Sequence, residues 1–84
     1  MEDIKKLVKE KKVFIGKDQT LKNLRLGKVS KVLLASNCPA ELKETIKRYS
    51  KMSGASVEQL DVPNDELGIL CRKHFFISVM GVKK

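Results

Sequence analysis

VSKVLLASNCPAELKETIKRYSKMSG, residues 29 to 54, decides the fold class of this chain. Its first part is β-branched and then apolar, which predicts a buried strand over 29–36. Pro39 suits the first turn of a helix, and Gly54 is typical of a helix C-cap. The residues with helical spacing between them are Glu41, Leu42, Ile46, Tyr49 and Met52. The segment therefore predicts a strand followed directly by a helix.

The residues before this segment predict a helix, a strand and a second helix. Over 2–11, apolar side chains at i, i+3 and i+4 form one face and lysines the other. VFIG, residues 13–16, predicts a short buried strand. Asp18 is expected to cap the next helix, and Gly27 to end it.

The residues after it predict a strand, a short helix and a last strand. SVEQL, residues 56–60, alternates like a half-exposed strand. Asn64 or Asp65 is expected to cap a short helix over ELGILCRK, residues 66–73. FFISVMGV, residues 75–82, predicts the most apolar strand of the chain.

Alternating helices and strands with short connections define the expected fold class. Such chains place helices on both faces of a central sheet. The sequence therefore predicts an α/β fold, a three-layer α/β/α sandwich around four strands. Its 84 residues indicate a single domain, expected over 1–84.

Charge limits the classes of partner. The formal net charge is +8 and the isoelectric point is near 9.7, which favours polyanions such as RNA, DNA or anionic lipid. No apolar run approaches the ~20 residues of a membrane span, and the charged N-terminal segment does not resemble a signal peptide. We expect a cytoplasmic protein that does not insert into a membrane.

Catalysis and metal binding find little support in the residue types. Cys38 and Cys71 are the only cysteines, and in a cytosolic chain they are expected to stay reduced. With His74 as the single histidine they do not complete a zinc site. Cys38 at a helix start is a weak candidate nucleophile, since no histidine or acid stands beside it. We therefore expect no metal, no cofactor and no small-molecule substrate.

The loops that follow the strands are the candidate binding segments, because ligands of open α/β sheets meet the strand ends. GKDQT, residues 16–20, has a glycine that permits close backbone approach and polar residues at a helix N-terminus, where free N–H groups favour anions. Basic residues follow it, namely Lys22, Arg25 and Lys28. The alternative is an ordinary strand-to-helix turn with solvated lysines, and the residues alone leave both open. The spacing of a P-loop is not present.

Three segments, taken together, carry a resemblance to a known family. They are GKDQTLKNLRLGK (16–28), LLASNCPAELKETIKRYSKMSG (33–54) and NDELGILCRKHFFISVMGV (64–82). The chain, from about Val13 to Val82, resembles the archaeal and eukaryotic large-subunit members of the kink-turn RNA-binding ribosomal protein family. The resemblance implies a mixed four-stranded sheet and a non-enzymatic protein that binds kinked ribosomal RNA beside neighbouring ribosomal proteins.

The resemblance also implies the RNA-binding residues. The loop after the first strand and the next helix start would enter the major groove, an asparagine after the second strand would contact the G·A pairs, and an apolar loop would cover the bulged nucleotides. These residues are Gly16, Lys17, Asp18, Gln19, Thr20, Lys22, Asn37, Gly68, Ile69, Leu70, Arg72, Lys73 and Phe75. Asp18 and Phe76 depart from the family, in which basic residues are common at these places.

Two other functions remain open at this point. The first is a kink-turn binder outside the ribosome, in a guide-RNA particle or in the control of a messenger RNA. The second is a small α/β enzyme that uses Cys38 or Cys71, and reactive thiols would distinguish it.

Overall fold

The structure is a computed structural model that describes residues 4–84, and it contains the predicted alternation of helices and strands. The elements are α1 (Ile4–Lys9), β1 (Val13–Ile15), α2 (Lys17–Arg25), β2 (Val29–Leu34), α3 (Ala40–Ser53), β3 (Ser56–Gln59), α4 (Asn64–Leu70) and β4 (Val79–Lys83). Residues 2 and 3 of the predicted first helix lie outside the described residues.

The four strands form one mixed sheet in the order β1-β4-β2-β3. β2 pairs in parallel with β3, with Lys31 opposite Ser56 and Leu34 opposite Gln59. β4 lies between β1 and β2 and runs antiparallel to both. The ends of β1, β2 and β3 and the start of β4 therefore share one edge of the sheet.

Alternating side chains of β2 divide the core into two layers, because successive residues of a strand point to opposite faces. Leu33 packs with Ile4 of α1 and Leu67 of α4 on one face. Val32 packs with Leu24 of α2 and Ile46 of α3 on the other. All six side chains are buried, and each such burial stabilises the fold by about 1.5–3 kcal/mol. The predicted α/β/α sandwich is confirmed.

Two predicted details of the helices are wrong. Gly16, not Asp18, occupies the N-cap of α2, and no side chain in the described part of the chain caps this helix. Asp18 lies in the first helical turn, where its negative charge interacts favourably with the positive end of the helix dipole. Pro63, not the predicted Asn64 or Asp65, occupies the N-cap of α4.

The last strand starts later than its apolar run predicted. β4 begins at Val79, which pairs with Leu34, the last residue of β2. Residues 75–78 lie beyond the end of β2 and are not part of the sheet. One backbone bond continues the pairing past Val79, from the Ala35 N–H to the Ser78 carbonyl at 2.9 Å. Phe75 and Phe76 consequently lie in a loop and are exposed.

Among residues 4–84, every helix is too short or too polar to cross a bilayer.

Candidate nucleic-acid interface

Four connecting segments meet at the sheet edge where β1, β2 and β3 end. The Gly16 N–H donates to the Val79 carbonyl at 3.1 Å, and the Ser36 N–H donates to the Val62 carbonyl at 2.8 Å. The Ile77 N–H donates to the Asn64 carbonyl at 3.1 Å. We call this surface the loop edge; it comprises residues 16–22, 36–39, 60–66 and 69–78. Backbone hydrogen bonds hold its segments in fixed relative positions.

Gly16 sets the first segment of the loop edge. Its φ of +95° and ψ of 163° lie in a region that L side chains rarely adopt. The residue turns the chain from β1 directly into α2, and its carbonyl accepts the Thr20 N–H at 3.1 Å. Lys17, Asp18 and Gln19 are all exposed at this helix start. The turn therefore presents a helix N-terminus, one cation, one carboxylate and one amide side chain to solvent.

Thr20 differs from its neighbours because its side chain points inward. It is fully buried, and its hydroxyl donates to the Phe14 carbonyl at 3.3 Å. Its methyl group lies where a side chain at Gly81 would make contact. Thr20 therefore positions α2 against β1 and β4, and it is not on the surface that could touch RNA.

The basic residues of the 16–28 segment do not form one patch. Lys17 and Lys22 are exposed on the part of α2 nearest the loop edge. Lys28 directly precedes β2 and therefore lies at the opposite end of the sheet. The nine-residue helix α2, at about 1.5 Å per residue, separates the two groups. Proximity in sequence had suggested a single basic face.

Asn37 is tied to the start of α4. Its Oδ1 accepts the Asn64 backbone N–H at 2.8 Å, and its Nδ2 donates to the Asn64 Oδ1 at 3.1 Å. The Asn64 Nδ2 in turn donates to the Ser78 hydroxyl at 3.5 Å. Asn37 therefore does not cap α3, whose N-cap residue is Pro39. Asn37 remains exposed, with one amide hydrogen and part of its carbonyl oxygen open to a ligand.

Exposed apolar side chains mark the loop between α4 and β4. Ile69, Phe75 and Phe76 are 73%, 56% and 72% exposed. They line a shallow groove of about 240 Å³ together with Asp65, Lys73 and His74. Apolar surface beside cations is the arrangement on which unstacked bases pack. Phe76 is the more exposed of the two phenylalanines of the groove.

Gly68 supports this loop from beneath. It is buried, and a Cβ at this position would collide with the carbonyl oxygen of Phe75. The loop can therefore lie directly on α4 only because residue 68 has no side chain. Gly68 was predicted to cover nucleotides, but the structure gives it no exposed surface for that contact.

Leu70 and Arg72 face away from the aromatic groove. Both line a second groove, of about 340 Å³, with Lys5, Val8 and Lys9 of α1. Leu70 is half-buried and packs against the core cluster that includes Leu67 and Cys71. The structure therefore separates Leu70 and Arg72 from Ile69, Lys73 and Phe75, which sequence proximity had grouped together.

Neither cysteine has the surroundings of a nucleophile. Both are free thiols, and both are buried in the core clusters. Burial raises the pKa of the Cys38 thiol, and Lys43 lowers it by a smaller amount. Burial likewise raises the pKa of the Cys71 thiol, against a smaller effect of Lys73. Both groups are therefore protonated at neutral pH, whereas nucleophilic cysteines have a lowered pKa.

Asn64 is a residue of the loop edge whose role the sequence did not reveal. It was predicted only as a helix cap, yet it bonds to Asn37 and Ser78 and accepts the Ile77 N–H. Its place between Pro63 and the ELG helix start is the signal in the sequence. That signal could not show which distant residues it joins.

Comparison with known proteins places this geometry in a family. The ribosomal protein L7Ae/L30e/S12e/Gadd45 family matches residues 1–84. The chain is 40% identical to the large ribosomal subunit protein eL30 of Sulfurisphaera tokodaii over 80 residues, which are 95% of this chain and 76% of that protein. It is 38% identical to the eL30 of Sulfolobus acidocaldarius, over 95% of this chain and 77% of that protein.

Solved structures show the same fold at low sequence identity. A protein with unknown function from Bacillus halodurans matches with a TM-score of 0.87 at 22% identity, over 96% of this chain and 80% of that chain. A Giardia lamblia 15.5 kD RNA binding protein matches with a TM-score of 0.83 at 19% identity, over 96% of this chain and 68% of that chain. The resemblance drawn from the motifs is confirmed: the chain belongs to the ribosomal protein L7Ae/L30e/S12e/Gadd45 family.

Proposed function

We propose that this chain is a structural RNA-binding protein of the large ribosomal subunit. It binds kinked ribosomal RNA through the loop edge, in the cytoplasm and beside neighbouring ribosomal proteins. The names of its eL30 relatives and the extent of the match support the ribosomal setting. The fold shared with an RNA binding protein is consistent with it.

One observation carries the proposal. The loop edge joins an exposed helix start at Gly16, the Asn37–Asn64 pair and an exposed aromatic loop in a single surface held by backbone hydrogen bonds. Each part suits a different component of a kinked RNA. The helix start and Lys22 suit phosphates, the amide suits a base edge, and Phe75 and Phe76 suit unstacked bases.

The chemistry of a kink explains why cations and a glycine belong at this edge. A sharp bend in RNA brings phosphates of different strands together, and nearby cations reduce their repulsion. Close approach of a backbone to those phosphates requires a position without a side chain, which Gly16 supplies. Such a site reads the shape of the RNA more than its sequence.

The loop edge is not uniformly basic, which limits how much of the binding free energy its charge can supply. Asp18, Asp65 and Glu66 are exposed there beside Lys17, Lys22 and Lys73. A surface of mixed sign does not bind polyanions strongly by charge alone. Shape and stacking must therefore supply much of the binding free energy, which predicts discrimination between kinked and straight RNA.

The cysteine-enzyme alternative loses its support in the described structure. Cys38 and Cys71 pack in the two core clusters on opposite faces of the sheet, and both pKa values are raised. A kink-turn binder outside the ribosome would use the same loop edge. The eL30 relatives favour the ribosomal setting over it.

The test compares two RNA duplexes. One carries a bulge flanked by sheared G·A pairs, and the other has those pairs replaced by Watson–Crick pairs. Affinity is measured for each at 50 and 200 mM salt. We expect much tighter binding to the kinked duplex at both salt concentrations. Equal affinities, both falling steeply with salt, would overturn kink recognition and leave only the effect of net charge.

A further inference from the structure

A second group of lysines lies at the end of the sheet opposite the loop edge. Lys12 precedes β1, Lys28 precedes β2, and Lys83 and Lys84 end the chain at β4. Backbone hydrogen bonds bring them together: the Lys83 N–H donates to the Lys12 carbonyl at 2.8 Å, and the Lys84 N–H donates to the Lys28 carbonyl at 3.1 Å. We call these four residues the lysine end.

The lysine end borders a groove of about 500 Å³. Its lining is Phe14, Asn23, Gly27, Lys28, Lys83 and Lys84. The Lys83 Nζ lies 5.1 Å from the centre of the Phe14 ring, a cation–π distance that holds this side chain over the groove. Asn23 is buried, and its Nδ2 donates to the Gln19 carbonyl at 2.8 Å. The groove is therefore built on ordered side chains, with exposed cations at its rim.

Little negative charge balances this end. Within residues 4–84, no carboxylate forms an ion pair with Lys28, Lys83 or Lys84, and the Glu10 carboxylate lies 3.8 Å from the Lys12 Nζ. The loop edge, in contrast, has acids among its lysines. The part of the chain that the structure describes thus concentrates unopposed cations away from the surface proposed to read the kink.

Distance makes the two surfaces independent. The six residues of β2 separate them, which corresponds to about 20 Å at ~3.3 Å per residue. The screening length at physiological salt is about 8 Å. Because it lies at the opposite ends of the strands, the lysine end faces away from an RNA bound at the loop edge.

From this arrangement we propose that the lysine end binds the phosphate backbone of a second RNA segment, so that the protein links two RNA segments. Phe14 is half-buried beneath Lys83, so the groove offers no open aromatic face for stacking. It therefore suits the backbone of duplex RNA without regard to sequence. Its exposed lining side chains are lysines, whereas a membrane-binding surface presents apolar side chains for insertion. The proposal rests on the proposed function only for the identity of the first RNA.

The experiment measures capture of a second RNA. A kink-turn duplex is immobilised and saturated with the full chain, and a fluorescent straight duplex is added at 50 and 200 mM salt. The test variant is Lys28→Gln/Lys84→Gln, which leaves Lys83 on Phe14. The matched control is Lys47→Gln/Lys51→Gln, which removes two exposed lysines of α3.

We expect the unchanged protein and the α3 control to capture the straight duplex. The test variant should lose about tenfold in capture, and its log–log salt slope should fall by about 2, near 0.9 per phosphate contact. Its affinity for the kink-turn duplex should stay within about twofold. Equal capture of the straight duplex by the test variant and the α3 control would overturn the proposal. So would a protein that captures anionic vesicles or an acidic peptide more strongly than RNA.

A second measurement separates this proposal from the proposed function. The straight duplex is titrated directly with each protein, without kinked RNA. The proposed function fails if the two-duplex comparison described above shows no preference for kinked RNA. Even then, the lysine end would be supported if Lys28→Gln/Lys84→Gln, but not the α3 control, bound the straight duplex more weakly. If both double variants bind the straight duplex equally, the lysine end has no special role.

Discussion

Asn37 and Asn64 hold each other across an interval of 27 residues, through a 2.8 Å bond to the Asn64 N–H and a 3.1 Å bond between the two side chains. The pair joins the segment after β2 to the start of α4. Asn64 also donates to Ser78 and accepts the Ile77 N–H, which extends the connection to the loop before β4. One asparagine pair therefore sets the relative positions of three segments of the loop edge.

Replacing Asn37 by Ala should loosen this connection. Two partly exposed hydrogen bonds are lost, and we expect the free energy of unfolding to fall by about 1 kcal/mol. Preference for the kinked over the straight duplex should fall more than affinity for the straight duplex. Ser36→Ala, at the exposed neighbouring residue, is the control. Equal loss on both RNAs would contradict a role in shape recognition.

Replacing Lys22 by Glu tests one of the two exposed cations that α2 contributes to the loop edge. We expect weaker binding to RNA of any sequence and a salt slope smaller by about 1, because one phosphate contact is removed. Lys47→Glu, on the exposed face of α3, makes the same change of charge elsewhere. If both variants behave alike, only net charge matters and Lys22 makes no contact.

Replacing Gly68 by Ala should destabilise the fold, because the new Cβ would collide with the Phe75 carbonyl. Overpacking of this kind costs about 1–3 kcal/mol, which thermal unfolding would show as a lower Tm. Ile69→Ala is the matched change on the same helix. Since Ile69 is exposed, it should leave Tm nearly unchanged and weaken RNA binding. An unchanged Tm for Gly68→Ala would mean that the loop does not rest on α4.

Replacing Phe76 by Ala tests the aromatic groove. The side chain is largely exposed, so stability should change little. A base stacked on it would contribute about 1–3 kcal/mol to binding, and affinity for the kinked duplex should fall accordingly. Leu26→Ala removes an exposed apolar side chain at the far end of α2 and should have no effect. Unchanged affinity in Phe76→Ala would exclude stacking on this ring.

The thiols predict the dependence of stability on pH. Burial raises the pKa of Cys38 and Cys71 in the folded state above the ordinary value of 9.0. A raised folded-state pKa contributes stability that is present below the unfolded value and lost as pH rises through the folded value. The free energy of unfolding should therefore fall above about pH 9 and do so less in a Cys38→Ser/Cys71→Ser protein. Alkylation of both thiols should be slow at pH 7; rapid alkylation would revive the enzyme hypothesis.

Local patterns were sufficient for the element order and the layered fold. The strand-to-helix unit ending at Gly54 follows from β-branching, a proline and a glycine, each of which acts within a few residues. Gly54 has a φ of +78° and caps α3 as predicted. The alternation of helices and strands with short connections indicated two covered faces of the sheet. The family motifs added which loops to consider as a binding surface.

The sequence by itself thus determined the fold class, the number of strands and the excess of positive charge. Only the tertiary structure decided that Thr20 and Gly68 are buried, that Phe76 is exposed and that Lys28 lies far from Lys22. It also decided where β4 begins, because that depends on where β2 ends. Each of these outcomes depends on contacts between residues distant in the chain, which local propensity and spacing do not encode.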